Sequence, residues 1–281
     1  MSLAFVPQAL VYHIGTAFFF TKSDFKTTIF PITIFATVAA PVCSVPRLPH
    51  IVFWIWLHLL QFNVSNQVFS VDEDALNKPD RPLPSGRITV QQATILRWAL
   101  VPLCFALSLS YSLQALYASA AFVGLTIIYN ECRAHAGHWT VRNCMNASGF
   151  AALEAGATLV AGLDRCQLDT TARLAICLSA AIFASTYHVQ DFKDIEGDRL
   201  MGRQTLPIVL PEHARKTVIV GLIAWSIALV AIWELDVVAA ALLLGLAAIT
   251  GVRFLIYRTV PGDQVSFYVY NVSDAVTVSY S

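Results

Sequence analysis

The sequence predicts an all-α polytopic membrane protein, a bundle of nine transmembrane helices, on three observations. First, 57% of its 281 residues are hydrophobic and only 13% are charged, about half the charged share of a soluble domain. Second, apolar stretches of membrane-spanning length recur from one end of the chain to the other. Third, the basic residues are sorted between alternate loops, as the positive-inside rule requires.

Taken in order, a hydrophobic segment at 3–20 comes first, lying in the interface or against the bundle. Spans follow at 25–43, 50–69, 89–110, 112–130, 143–163, 170–190, 213–233, 236–257 and 262–281. They are read as a single transmembrane domain covering 1–281. Fourteen basic residues fall before the first span or after the second, fourth, sixth and eighth, among them Lys26, Arg81, Arg133, Arg142 and Arg203. Only Arg47, Arg165 and Arg173 fall on the other side, and Arg97 lies inside the third span. The first group is therefore expected in the cytosol. No Arg-rich, Ser-rich presequence indicates mitochondrial import, and the expected location is the endoplasmic reticulum membrane. The six cysteines form no CxxC pair and read as small buried side chains.

Two polar stretches interrupt this pattern. "NQVFSVDEDALNKPDRPLPSGRIT" at 66–89 closes the second span, and "DFKDIEGDRLMGRQTLP" at 191–207 closes the sixth. Each runs from acids at helical spacing into a Gly-Arg turn, Gly86–Arg87 and Gly202–Arg203. Asp74 and Asp198 stand 198 − 74 = 124 residues apart with four spans between them. An even number of spans returns the chain to the same side, so the two ends are expected to face each other as a weak internal repeat. Asp191, Asp194 and Asp198 fall at i, i+3 and i+7, one face of a helix; Asn66, Ser70 and Asp74 fall at i, i+4 and i+8, again one face. Two such oxygen-rich ends suit Mg²⁺, a hard cation that takes a few carboxylates together with substrate phosphate oxygens. The bland alternative, a solvated acidic loop, explains one such cluster better than two matched ones.

These stretches resemble the two signature motifs of the UbiA superfamily of intramembrane prenyltransferases. Asn66 and Asp74 with "NKPDRPLPSGRI" correspond to the first, and Asp191, Asp194 and Asp198 with "GRQTLP" to the second. The resemblance implies nine helices around a cavity capped on the cytoplasmic side, and a prenyl diphosphate bound through Mg²⁺ held by both motifs. It departs at Ser70, where the first motif usually has its middle aspartate, while Asp72 and Glu73 are added. The implied metal set is then Asn66, Glu73, Asp74, Asp191, Asp194 and Asp198. This version of the motif looks most like fungal members, some of them terpene cyclases. Tyr129 and Arg133 match the family's tyrosine and its diphosphate-touching lysine.

The chemistry that follows is loss of diphosphate, stabilised by Mg²⁺ and by Lys26, Arg81, Arg133 and Arg203. An apolar cavity would keep water from the allylic cation, with Tyr129 and Tyr187 as candidate aromatic faces. Glu154, halfway along the fifth span, and Asn146, two turns earlier on the same face, either line that cavity or serve as hydrogen-bonded structural groups. His188 reads as a helix-packing residue more readily than as a ligand, and Asp274 as interfacial. The expected partners are a prenyl diphosphate and membrane lipid, with neither nucleic acid nor a protein partner. A transporter would carry its charges near the midplane, and a CDP-alcohol phosphotransferase would need a DGxxAR stretch, which is missing. The open contest lies between a cyclase acting on farnesyl or geranylgeranyl diphosphate and a transferase with an aromatic acceptor.

Overall fold

The computed structural model describes residues 8–40 and 44–278, with side chains described except at 76, 77, 135 and 272–278; Asp274 thus lies outside the described side chains. The element order is α1 (Gln8–Thr21), a π-helical turn Phe25–Ile29 leading into α2 (Phe30–Ala39), α3 (Leu48–Phe69), α4 (Val71–Asn77), α5 (Val90–Leu109), α6 (Leu113–Asn130), α7 (Trp139–Ala161) and α8 (Thr170–Thr186). A 3₁₀ run, Tyr187–Asp194, then leads into α9 (Ile195–Leu200), α10 (Leu206–Val209), α11 (Ala214–Ile232), α12 (Val237–Ile256) and α13 (Val260–Val278). Helix starts are set by side chains that satisfy the orphaned amides. Thr89 forms a capping box with Gln92 on α5, while Ser112, Asp169 and Asp236 cap α6, α8 and α12.

A helix occupies each of the nine expected segments, but among the described residues length and apolar composition support five crossings directly: α5, α6, the run Thr170–Leu200, α11 and α12. The apolar helix Phe25–Ala39 is shorter. α3 and α7 are long, at 22 and 23 residues, yet bury His58, Gln61 and Asn63, and Arg142, Asn143 and Glu154. Those helices line the interior, so their polar groups face protein and lower the apolar average. α11 and α12 do the opposite. Only 22% and 33% of their apolar windows are buried, and Val220, Ile227, Leu242 and Ile249 point outward, a surface that suits lipid.

α3 packs on α5, α6 on α7, α7 on α8 and α11 on α12; α13 closes the bundle against α12, α2 and the 3₁₀ run. α7 approaches α3 closely because Gly156 has no side chain: a Cβ there would stand 2.1 Å from Trp54. The buried Trp54 indole stacks on His58 and donates to Ser108 Oγ at 2.8 Å. At one end of the bundle, Arg47 donates to the carbonyls of Ala161 and Gly162. Both acidic stretches lie at the other end, as the even span count between them requires.

Candidate active site

Both acid-bearing helices break in the middle of their motifs. α3 ends at Phe69 and α4 starts at Val71, with Ser70 between them at φ −120°, ψ 27°. The 3₁₀ run ends at Asp194, at φ −111°, ψ 10°, before α9. The breaks stand 194 − 70 = 124 residues apart, the offset that also relates Asp74 to Asp198. The expectation of one continuous helical face for each motif is therefore corrected, because each motif folds around its break. Gly86 and Gly202, at φ +72° and +68°, make the turns that follow, a left-handed conformation glycine adopts without Cβ strain.

The folded ends close over a cavity of about 230 Å³. Its mouth carries the carboxylates of Glu73, Asp74 and Asp194, with Asp24 further in, and five cations, Lys78, Arg81, Arg142, Lys193 and Arg203. Its floor is apolar and aromatic, made by Leu59, Phe62, Phe122, Leu125, Phe150 and Leu153. Arg81 Nη1 reaches both oxygens of Asp74, at 2.7 and 2.8 Å, and Ser70 Oγ donates to Asp74 Oδ2 at 3.2 Å. The departure at Ser70 thus replaces an acid with a hydroxyl that holds the next one. Arg203 joins the two motifs, binding Glu73 with Nη1 and Nη2 and Asp198 Oδ1 at 2.8 Å with Nη1. Lys193 Nζ lies 2.6 Å from Asp194 Oδ2.

Asn66, Glu73, Asp74, Asp194, Arg81, Arg203, Tyr129, Asn146 and Tyr187 all line the cavity, as expected. Five expected residues do not. Asp191 and Asp198 are fully buried behind the wall, where Arg142 Nη2 meets Asp191 Oδ1 at 2.9 Å and Arg203 holds Asp198. The 3₁₀ rise turns them away from the face that Asp194 presents. Arg133 sits exposed in the α6–α7 loop at φ 54°, and Lys26 lies over the Tyr268 ring at 5.5 Å, outside the cavity. Glu154 is buried on the far side of α7, accepting from Ser179 Oγ at 2.7 Å. His188 is a packing residue: it is buried, meets Thr217 Oγ1 at 3.0 Å and lies edge-on to Phe192. Among the described residues, no three His, Cys, Asp or Glu side chains converge closely enough to hold a metal between them. Glu73, Asp74, Asp191, Asp194 and Asp198 are instead each paired with a cation.

Sequence reasoning missed Asp24, Asn63, Lys78, Arg142, Gln190 and Lys193 as cavity residues. Asn63 carried a signal, since it lies one turn before Asn66 on the same face. Gln190 carried another, as 190 − 66 = 124 makes it the counterpart of Asn66. Asp24 carried none, because nothing in a linear pattern shows that α1 ends over the cavity. Burial raises the carboxyl pKa of Asp24, against the Asn63 amide and the charges of Arg81 and Lys78, which lower it. Burial likewise lowers that of Lys78, helped by the nearby Arg81 charge.

Comparison with known proteins fits this geometry. The model of the UbiA prenyltransferase family matches residues 28–272. A fumagillin beta-trans-bergamotene synthase of Aspergillus fumigatus is 35% identical over 78% of this chain and 75% of its own. A diterpene cyclase of Hericium erinaceus is 32% identical over 85% of this chain and 78% of its own. A polyprenyl transferase of the same fungus is 30% identical over 75% and 73%. Among solved structures, a UbiA homolog from Archaeoglobus fulgidus bound to GPP and Mg²⁺ superposes with a TM-score of 0.70 at 14% identity, covering 94% of this chain and 97% of that one. The chain belongs to the UbiA prenyltransferase family and is a membrane enzyme of that family, whose members similar to it include both terpene synthases and prenyl transferases.

Proposed function

We propose that this enzyme is a Mg²⁺-dependent terpene cyclase. It ionises farnesyl or geranylgeranyl diphosphate, cyclises the carbocation and releases diphosphate, as one domain in the endoplasmic reticulum membrane with its mouth toward the cytosol. The observation that carries this reading is the division of the cavity into a mouth with five cations and a floor of apolar and aromatic side chains. The mouth suits a diphosphate and the floor a hydrocarbon chain.

Asn66, Glu73, Asp74 and Asp194 line the cavity with hard oxygen donors of the kind Mg²⁺ takes, while Asp191 and Asp198, behind its wall, would have to turn inward to join them. Asn66 uses Nδ2 to donate to Asn130 Oδ1, which keeps its own oxygen for a cation. Oδ2 of Asp191 and Oδ2 of Asp198 are buried without a hydrogen-bond partner, and a buried orphan of this kind is costly until something fills its place. When bound there, the ion would offset charge on the departing diphosphate.

The protein's own groups do the rest. Arg81, Arg203, Lys78 and Lys193 bind and orient the diphosphate, and their charge favours its departure. The floor excludes water from the cation, while Phe62, Phe122, Tyr129 and Phe150 offer ring faces to the moving charge. A prenyl transferase with an aromatic acceptor is the second reading, supported by the similar polyprenyl transferase. Incubation of the purified protein with either diphosphate and Mg²⁺, without acceptor, decides between them. A cyclic hydrocarbon is the expected product; diphosphate consumption only after an aromatic acceptor is added would overturn the cyclase.

A further inference from the structure

Four carboxylates line the cavity, and three of them are held by cations: Asp74 by Arg81, Glu73 by Arg203 and Asp194 by Lys193. Among the described residues, the fourth, Asp24, has no cation within ion-pair distance. Its recorded partners are Asn63 Nδ2, which donates to Oδ2 at 2.7 Å, and Ser23 Oγ, 3.5 Å from the same oxygen. Oδ1 takes neither bond.

Its place in the cavity is unlike that of the other three. Asn63 sits on α3 between Asn66, about 4.5 Å along the axis toward the mouth, and Leu59, about 6 Å toward the floor. Asp24 therefore stands where the polar mouth gives way to the apolar chamber. The backbone that holds it there is irregular: Asp24 precedes the π-helical turn Phe25–Ile29, and Thr28 in that turn also lines the cavity. Single π turns of this sort recur at functional sites.

A cyclase that ends on a hydrocarbon must remove a proton from its last cation, and a base placed at the diphosphate would be occupied by metal and arginines. We propose that Asp24 is that base, its Oδ1 accepting the proton that leaves the carbon skeleton in the terminating step. A C–H bond beside the cationic carbon breaks, its electron pair becomes the new C=C bond, and the proton passes to the carboxylate. The neutral olefin leaves and the carboxylic acid returns the proton to water at the mouth. Burial raises the proton affinity of Asp24, against Asn63, Arg81 and Lys78, which lower it. The proposal rests on the cyclase reading.

The test compares wild-type protein with Asp24→Asn and Asp24→Glu, each with prenyl diphosphate and Mg²⁺, measuring diphosphate release and hydrocarbon products separately. Asp24→Asn keeps the shape and loses the base. It is expected to release diphosphate within about threefold of wild type while the share of the wild-type olefin falls about tenfold or more, replaced by water-captured alcohols. Asp24→Glu, which retains a carboxylate, is expected to recover olefin. An unchanged product profile in Asp24→Asn would overturn the proposal, and so would loss of diphosphate release in step with olefin, which would assign Asp24 to ionisation. A wild type that makes no hydrocarbon without an acceptor would overturn the cyclase reading itself, a result visible before any variant is compared.

Discussion

Arg203 and Glu73, 130 residues apart in the chain, form a two-pronged ion pair, Nη1 to Oε1 at 2.9 Å and Nη2 to Oε2 at 2.7 Å. Through this pair the second motif's turn is fastened to the first motif's helix, above the cavity mouth. The planar fork of arginine matches a carboxylate in a way a lysine does not. The same fork matches the oxygens of a diphosphate.

Replacing Arg203 by Ala should therefore cut diphosphate release by about 10²–10³-fold, the usual cost of one charge-stabilising donor. Arg203→Lys should recover only part of it. Steady-state assays with a prenyl diphosphate check this, and a Lys variant as active as wild type would show that the fork is not used.

Asp191 is fully buried against Arg142. Asp191→Ala breaks this buried ion pair and should destabilise the protein by about 3–5 kcal/mol, besides abolishing turnover. Asp74→Ala should abolish turnover with a smaller loss of stability, because Arg81 is partly exposed and can turn to solvent. Thermal unfolding in detergent beside diphosphate release separates the two effects. Near-native turnover in Asp74→Ala would mean that the first motif does not take part in ionisation.

Removal of Mg²⁺ with a chelator should stop diphosphate release reversibly, since the charge on the departing diphosphate would then lack the ion's compensation. Re-addition of Mg²⁺ should restore turnover. Activity that survives exhaustive chelation would exclude the metal-dependent reading.

Two expected site residues should prove dispensable. Arg133→Ala, in an exposed loop, and Glu154→Gln, bonded to Ser179 away from the cavity, should each keep turnover within about twofold of wild type, because neither side chain lines the cavity. A large fall in kcat for Arg133→Ala with unchanged stability would mean that the α6–α7 loop closes over the substrate.

The native cysteines report sidedness. Cys132 is exposed in the α6–α7 loop, and Cys166 is exposed in the α7–α8 loop at the opposite end. A membrane-impermeant thiol reagent supplied from the cytosol should modify Cys132 and spare Cys166. Modification of both from one side would break the alternation on which the topology rests.

The sequence by itself determined the helical segments, the end of the bundle where the acids gather and the pairing of two motifs 124 residues apart. Those properties are local or periodic. Apolar runs must find lipid or a core, capping side chains stand beside the helices they start, and an even number of spans fixes which ends meet. Even Gln190 was legible in principle, as the partner of Asn66 at the same offset. Tertiary structure alone decided which side of a motif faces the cavity. At Asp191 and Asp198 the 3₁₀ run rotates the carboxylates behind the wall, a change of pitch that acid spacing does not encode. It also brought Asp24 and Arg142 to the site, one from the end of α1 and one from the start of α7. Neither position belongs to a repeat or a motif. What assembles them is the packing of helices far apart in the chain, with α7 drawn against α3 where Gly156 admits Trp54.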